Sequence, residues 1–253
     1  MKIIKLNAID STNSFLKDMA SKVALDNLTV VVAKKQTAGR GQRNTRWNSQ
    51  VGKALTFSVY TKFDDFLVAD YKYLNYAVSL AVYQAINMLN LSRLTIKWPN
   101  DILSENKKIA GILIENSLIT DKINTAIIGI GVNVNQNKFP KDLPNASSIK
   151  KMLAQKQVIN PDIDNNIDLD FLLDKILVSL AKKLEILHQK EYQLLENDYL
   201  SVLYKKNVPS MFKTTQNTLF MGKIIGVSKI GNLQIELENE TIQEFGIKEV
   251  SFA

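Results

Sequence analysis

Residues 107–135 read KKIAGILIENSLITDKINTAIIGIGVNVN. Two apolar runs, KIAGILIEN and NTAIIGIGVNVN, flank Ile119-Thr120-Asp121-Lys122, a stretch of hairpin-turn character. With LTIKW just upstream, they predict a cluster of consecutive short strands. Strict strand–helix alternation is missing, which places the chain in the α+β class.

Working outward, a first helix follows Asp10-Ser11-Thr12-Asn13, with Ser11 or Thr12 as N-cap and Phe15, Leu16, Met19, Ala20 and Val23 at helical spacing. Residues 29–34 predict a strand. So do residues 54–61, where Leu55, Phe57, Val59 and Thr61 alternate with Thr56, Ser58 and Tyr60. Residues 70–90 predict a long helix with Leu74, Val78, Ala81, Ala85 and Leu89 on one side. Residues 134–150, holding Pro140 and Pro144, read as a loop ending near a helix. A leucine-rich stripe over 168–187 is helical core packing, not a binding box. After Tyr204-Lys205-Lys206-Asn207 the texture changes to short alternating runs separated by Gly231-Asn232 and Asn239-Glu240. These predict a small β-barrel or sandwich, and two domains, 1–205 and 206–253.

The chain has 253 residues, 45% hydrophobic and 23% charged, the balance of a globular protein. It has no cysteine, which excludes disulfides, zinc–thiolate sites and cysteine nucleophiles. Its single histidine, His188, excludes a multi-histidine metal site and reads as a helix-surface residue. A Ser-His-Asp triad could be built only on it. The net charge of +7 suits nucleic acid, an anionic small substrate or an acidic protein partner. The basic residues are spread out, with no block of five or six. No signal-peptide h-region and no membrane-length apolar run is visible, so the expected location is cytoplasmic.

Chemistry must then rest on Lys, Arg, Asp, Glu and backbone groups. Four constellations can supply it. In Thr37-Ala38-Gly39-Arg40-Gly41-Gln42-Arg43-Asn44-Thr45-Arg46-Trp47, glycines permit close backbone approach and guanidinium forks match phosphate or carboxylate oxygens. A solvated loop would look much the same. In Lys97-Trp98-Pro99-Asn100-Asp101, Pro99 restricts its neighbours and directs Asn100 and Asp101, either to a ligand or merely as a capped turn. In the run from Lys107 to Glu115, a lysine pair opens an apolar strand and can place one ammonium in a cleft. There it could neutralise charge growing on a carboxylate or an α-phosphate. Gly111 leaves room for a ligand against the strand, or marks a bulge at an exposed strand end. Gly129-Ile130-Gly131-Val132-Asn133 falls short of the dinucleotide fingerprint, and no GxxxxGK[ST] loop exists. Any nucleotide is bound without a Walker or Rossmann site.

In this order and spacing, DSTN (10–13), QTAGRGQR–W (36–47), KWPND (97–101), KKIAGILIE (107–115) and GIGVNVN (129–135) closely resemble the biotin–protein ligase family. The resemblance spans most of residues 1–150, and the β-rich tail resembles that family's C-terminal barrel. It implies a mixed β-sheet flanked by helices, of the class II aminoacyl-tRNA synthetase/biotin synthetase type, with a small SH3-like barrel. It implies activation of biotin with MgATP to biotinyl-5′-adenylate, then transfer to a lysine of a biotin carboxyl carrier domain in a carboxylase. Magnesium would be bound mainly through ATP. By the match, Lys108 takes the central catalytic role, with Arg40 holding the carboxylate–phosphate region. Asp101 orients the acceptor lysine or helps with the metal. Ser11, Thr12, Asn13, Gln36, Gly39, Arg40, Lys108, Gly111 and Gly131 are implied on the biotin side. Arg40, Gln42, Arg43, Trp47, Lys108 and Asn133 are implied on the nucleotide side.

Two departures carry consequences. Many members have arginine after the second loop glycine and glycine three residues later, where this chain has Gln42 and Asn44. Gln42 keeps hydrogen bonding but loses a charge, and Asn44 tolerates left-handed φ, so retention of the adenylate is what the change affects. The chain also opens almost directly on DSTN, so no DNA-binding domain and no operator binding are expected, with a monomer or homodimer as the state. A lipoate–protein ligase of the same superfamily is the nearest alternative reading. A nucleic-acid-binding module is a distant one, because it leaves KWPND and Lys108 unexplained.

Overall fold

The computed structural model describes residues 1–42, 45–156 and 166–253. Its main layer is a seven-stranded mixed sheet: β1 (Ile3–Leu6), β2 (Thr29–Ala33), β3 (Ala54–Lys62), β4 (Thr95–Lys97), β5 (Asp101–Ser104), β6 (Lys107–Ile119) and β7 (Lys122–Asn133). The spatial order is β1-β2-β3-β7-β6-β5-β4. Only β1 and β2 run parallel; every other neighbouring pair is antiparallel. The 107–135 stretch forms the predicted hairpin at the sheet centre, turning at Thr120, which adopts φ 54°.

Among the described residues, five α-helices accompany the sheet: α1 (Thr12–Lys22), α2 (Tyr71–Asn87), α3 (Ile149–Lys156), α4 (Leu169–His188) and α5 (Tyr192–Ser201). Strand alternation sorts the two faces. Phe57, Val59, Ile102, Ile112, Ile128 and Ile130 join Leu74, Ala77, Val78 and Ala81 of α2 and Leu173, Ile176, Leu177 and Leu180 of α4 in one core. Each such buried Val, Leu, Ile or Phe side chain contributes ~1.5–3 kcal/mol relative to exposure. The opposite face carries Ser58, Gly111, Gly129 and Gly131. There α1 covers only one end, packing Leu16 with Val31, Tyr60 and Ile127. The uncovered remainder becomes the site.

Three elements differ from the sequence expectation. β1 pairs in parallel with β2, a partner more than twenty residues downstream, so a four-residue strand gave no local signal. β5 begins inside KWPND, at Asp101. α4 matches the leucine stripe, but after Lys190 at φ 56° a second helix, α5, follows that the sequence expectation did not include. His188 itself is exposed, as expected, stacked on Phe63 with ring centroids 5.5 Å apart.

The tail folds as β8 (Pro209–Thr214), β9 (Leu219–Val227), β10 (Leu233–Leu237), β11 (Ile242–Phe245) and β12 (Val250–Phe252). These form one antiparallel sheet in the order β11-β10-β9-β8-β12. Among the described residues, β11 and β12 stand at the two edges of this sheet, with no ladder between them. Phe212 stacks with Phe220 and Phe252 at its centre. The Trp98 indole donates to Gly231 O at 3.2 Å, tying this sheet's β9–β10 turn to the KWPND segment. No described helix is long and apolar enough to cross a membrane.

Candidate active site

Direct pairing across the sheet puts Asp101, Gly111 and Gly131 side by side: Asp101 opposite Gly111, and Gly111 opposite Gly131. Two adjacent glycines leave a trough in the sheet surface. Regular alternation would send the Lys108 side chain to the other face from Gly111. The register slips, however: Leu103 pairs with Lys108 and Ile102 with Ala110, leaving Ile109 as the extra residue of a bulge. A bulge re-aims the neighbouring side chain. Lys108 turns onto the trough face, with Nζ 2.6 Å from Asp101 Oδ1 and 3.2 Å from where a Gly111 Cβ would lie. The bulge is therefore at Ile109, one of the alternatives for Gly111 being displaced by two residues.

The Trp47 ring lies in the trough. A Cβ on Gly131 would collide with the indole, and one on Gly111 would sit 3.1 Å from Cζ3. Lys108 Nζ is 5.8 Å from the ring centroid, within cation–π reach. The indole Nε1 is buried without a hydrogen-bond partner among the described residues. The legs of the arginine loop clasp each other: Trp47 N donates to Gly39 O at 2.9 Å, Gly41 N to Thr45 O at 2.7 Å, and Arg40 bridges Arg46.

At the other end, the start of α1 is sunk into the sheet. Ser11, Thr12 and Asn13 are each 3% exposed. Ser11 caps the helix, accepting from Ser14 N at 3.4 Å. Gln36 Oε1 accepts from Thr12 N at 2.8 Å. Ser58 Oγ lies 2.7 Å from Thr12 Oγ1 and 2.5 Å from Asn13 Oδ1. With one proton to give, Ser58 donates to Asn13 Oδ1, which has none. Asn13 can sink this deep because position 129 is glycine; a Cβ there would overlap its amide.

KWPND is braced from behind. The Pro99 carbonyl accepts from Asn75 Nδ2 and from Tyr199 Oη, both at 2.9 Å. Burial pushes the Tyr199 phenol well up, so it stays a protonated donor. Asn100 Nδ2 donates to Ile112 O at 2.7 Å. The motif is thus a fixed platform for Asp101 rather than a mere capped turn.

These groups surround a cavity of about 320 Å³. Of the residues singled out in the sequence, Ser11, Thr12, Asn13, Gln36, Arg40, Gln42, Trp47, Asp101, Lys108, Gly111 and Gly131 line it. Gly39 does not; it packs against the Trp47 carbonyl. Asn133 does not either, being 4% exposed with Nδ2 on Ser147 O at 3.0 Å. Arg43 and Asn44 lie outside the described residues. Arg40 is on the cavity wall but its guanidinium is engaged by Glu115, at 2.7 Å, rather than by Lys108's neighbours. The sequence reading missed Glu115 as a partner, gave Lys97 of KWPND no role of its own, and missed Tyr204 and Phe252; Lys97, Tyr204 and Phe252 all line the cavity.

A buried polar floor, a lysine–aspartate pair and an aromatic lid over a glycine trough suit an elongated ligand with a polar head and an anionic end. The model of the biotin/lipoate A/B protein ligase family matches residues 6–133. The chain belongs to this family. The bifunctional ligase/repressor BirA of Bacillus subtilis (strain 168) is 31% identical over 249 residues, covering 96% of this chain and 71% of that protein. A biotin–[acetyl-CoA-carboxylase] ligase of Paracoccus denitrificans is 27% identical over 207 residues, covering 81% and 82%. Among solved structures, the biotin protein ligase from Aquifex aeolicus in complex with biotin and ATP matches with TM-score 0.77 and 26% identity. That match covers 100% of this chain and 98% of the other. Within the family, both glycine strands and the DSTN, arginine-loop and KWPND segments of this chain fall inside the matched region 6–133.

Proposed function

We propose that this chain is an ATP-dependent biotin–protein ligase that charges the carrier domain of acetyl-CoA carboxylase or a related carboxylase. The observation that carries the reading is Lys108, re-aimed by the Ile109 bulge into a glycine trough beside Asp101 and Trp47. In the first step the biotin carboxylate oxygen attacks the α-phosphorus of ATP; the new O–P bond forms as the bond to pyrophosphate breaks. Both reactants are anionic, so a fixed ammonium between them lowers the barrier. In the second step the carrier lysine amine attacks the acyl carbon, the amide forms, AMP leaves, and the amine proton must be accepted. Asp101 is the carboxylate placed to receive or orient that amine.

Buried Ser11, Thr12, Asn13 and Gln36 suit the ureido head, whose N–H and C=O groups need partners when desolvated. Trp47 offers a flat face to the adenine. Among the described residues, no group of three or more His, Cys, Asp or Glu side chains could hold a metal. Magnesium enters the reading as part of MgATP, held mainly through the phosphates. The lipoate alternative is disfavoured by relatives and a structural match named for biotin. The reading also takes residues 1–205 as the catalytic unit and 206–253 as a separate domain, works in the cytoplasm as monomer or homodimer, and includes no operator binding.

The test is incubation with MgATP and an apo carrier domain, with biotin and lipoate in parallel, reading the carrier's mass. Biotinylation alone is expected. Lipoylation without biotinylation overturns the assignment.

A further inference from the structure

Both terminal nitrogens of the Arg40 guanidinium have a protein partner without any ligand. One terminal nitrogen donates to Glu115 Oε1 at 2.7 Å and the other to Ser14 Oγ at 3.3 Å. Glu115 uses its second oxygen on the other side of the site, accepting from Asn13 Nδ2 at 2.8 Å. The Asn13 amide is oriented by this contact and by Ser58 on its oxygen. A single carboxylate on β6 thus spans the arginine loop and the buried start of α1.

A carboxylate on a guanidinium is the same pairing that an anionic ligand would make with Arg40. The two cannot both take the same N–H groups. We propose that Glu115 is a specificity-determining positioning residue: it is the resting counter-ion of Arg40, displaced when a ligand carboxylate or phosphate binds. Glu115 thereby lowers the enzyme's preference for an ionised over a neutral ligand of the same shape. The Arg40 and Glu115 side chains are 46% and 22% exposed, so the exchange is between partly solvated partners and its cost is modest. The inference rests on the biotin reading above, with the Glu115–Arg40 contact as an independent observation.

Affinities for biotin and for biotinol, in which the carboxylate is replaced by a neutral CH₂OH group, separate the effects. Both compounds share the ureido head and so report Asn13 equally. In Glu115→Gln the biotin-to-biotinol affinity ratio is expected to rise about two- to fivefold, the range of a partly exposed ion pair. Adding Arg40→Gln should abolish that rise. Glu115→Asp, whose shorter side chain draws the carboxylate back from Arg40, should move the ratio the same way by less. Biotinol binding in each variant shows that the site is folded. A ratio that stays unchanged or falls overturns the proposal, because Glu115 would then be indifferent to Arg40 or hold it in its working position. Wild-type protein that binds neither compound overturns the biotin reading itself, a result distinct from an unchanged ratio.

Discussion

Lys108 Nζ stands 2.6 Å from Asp101 Oδ1 because one extra residue, Ile109, interrupts the β5–β6 ladder. Asp101 is opposite Gly111 in that ladder, so the pair shares the face on which a ligand would lie. The two charges divide the labour of the proposed reaction. Lys108→Ala should lower biotin-dependent ATP–pyrophosphate exchange by ~10²–10³-fold, the loss typical of one preorganised electrostatic donor. Asp101→Asn should instead act mainly on transfer, reducing carrier biotinylation from preformed adenylate by ~10²-fold, as for loss of a proton acceptor. Single-turnover measurement of each half-reaction distinguishes them. Equal losses in both would assign Asp101 to adenylation.

Gly131 and Trp47 predict a spectroscopic result. The indole rests where a side chain at 131 would have to go. Gly131→Ala should push the ring out of the trough and into water, shifting its emission to longer wavelength. The chain has two tryptophans, so Trp98→Phe isolates the signal. If Trp47 stacks on adenine, ATP affinity should fall roughly 5- to 100-fold, the range for one base–aromatic stack. Unchanged emission and ATP affinity would remove Trp47 from the nucleotide side.

Much of this site was legible in the sequence because its parts are local. The hairpin over 107–135, the Ser11 cap and the two glycine strands each follow from a few neighbouring residues. What was not legible depends on pairing. Lys108 could be named, but its direction is set by a register slip against β5, and β5 is four residues starting inside a motif that reads as a turn. Glu115 meets Arg40 across 75 positions, and no periodicity announces such a contact. Tyr204 reaches the cavity with its N–H on the Ile96 carbonyl at 2.8 Å, and Phe252 packs edge-on against it, pairings between positions far apart in the chain. Asn133, implied on the nucleotide side by the resemblance, lies off the cavity lining, with its Nδ2 on the Ser147 carbonyl and its Oδ1 without a partner among the described residues.

Away from the site, Asp65 gives a prediction with pH. Its carboxylate sits 2.9 Å from both Lys122 and Lys190, and hydrogen bonds and charge from these two lysines lower its pKa to about 2. A carboxyl whose folded pKa is depressed adds stability above the unfolded value, ~3.9, and loses it as pH falls through the folded one. The stability difference between wild type and Asp65→Asn should be flat above pH ~5 and shrink between pH ~4 and about 2. The group is exposed, so the difference should also shrink with added salt. Urea titrations at several pH values measure both. A difference that grows on acidification would contradict the ion-pair origin.

The Pro99 carbonyl provides the sharpest stability test, since two donors from different helices converge on it. Asn75 comes from α2 and Tyr199 from α5, each at 2.9 Å. Tyr199→Phe removes one donor while the carbonyl keeps the other, so the loss should be about 0.5–1.5 kcal/mol, one net hydrogen bond. Asn75→Ala should cost a similar amount through the same acceptor. Removing both leaves a partly buried carbonyl with neither side-chain partner, and an unpaired acceptor costs ~1–3 kcal/mol in its own right. The double variant should therefore lose more than the sum of the singles, by roughly 0.5 kcal/mol or more, as expected for residues sharing one partner. Denaturant unfolding with unchanged slope measures this directly. Strict additivity would mean that water replaces the missing donors and that KWPND is braced by Asn100 and Trp98 instead.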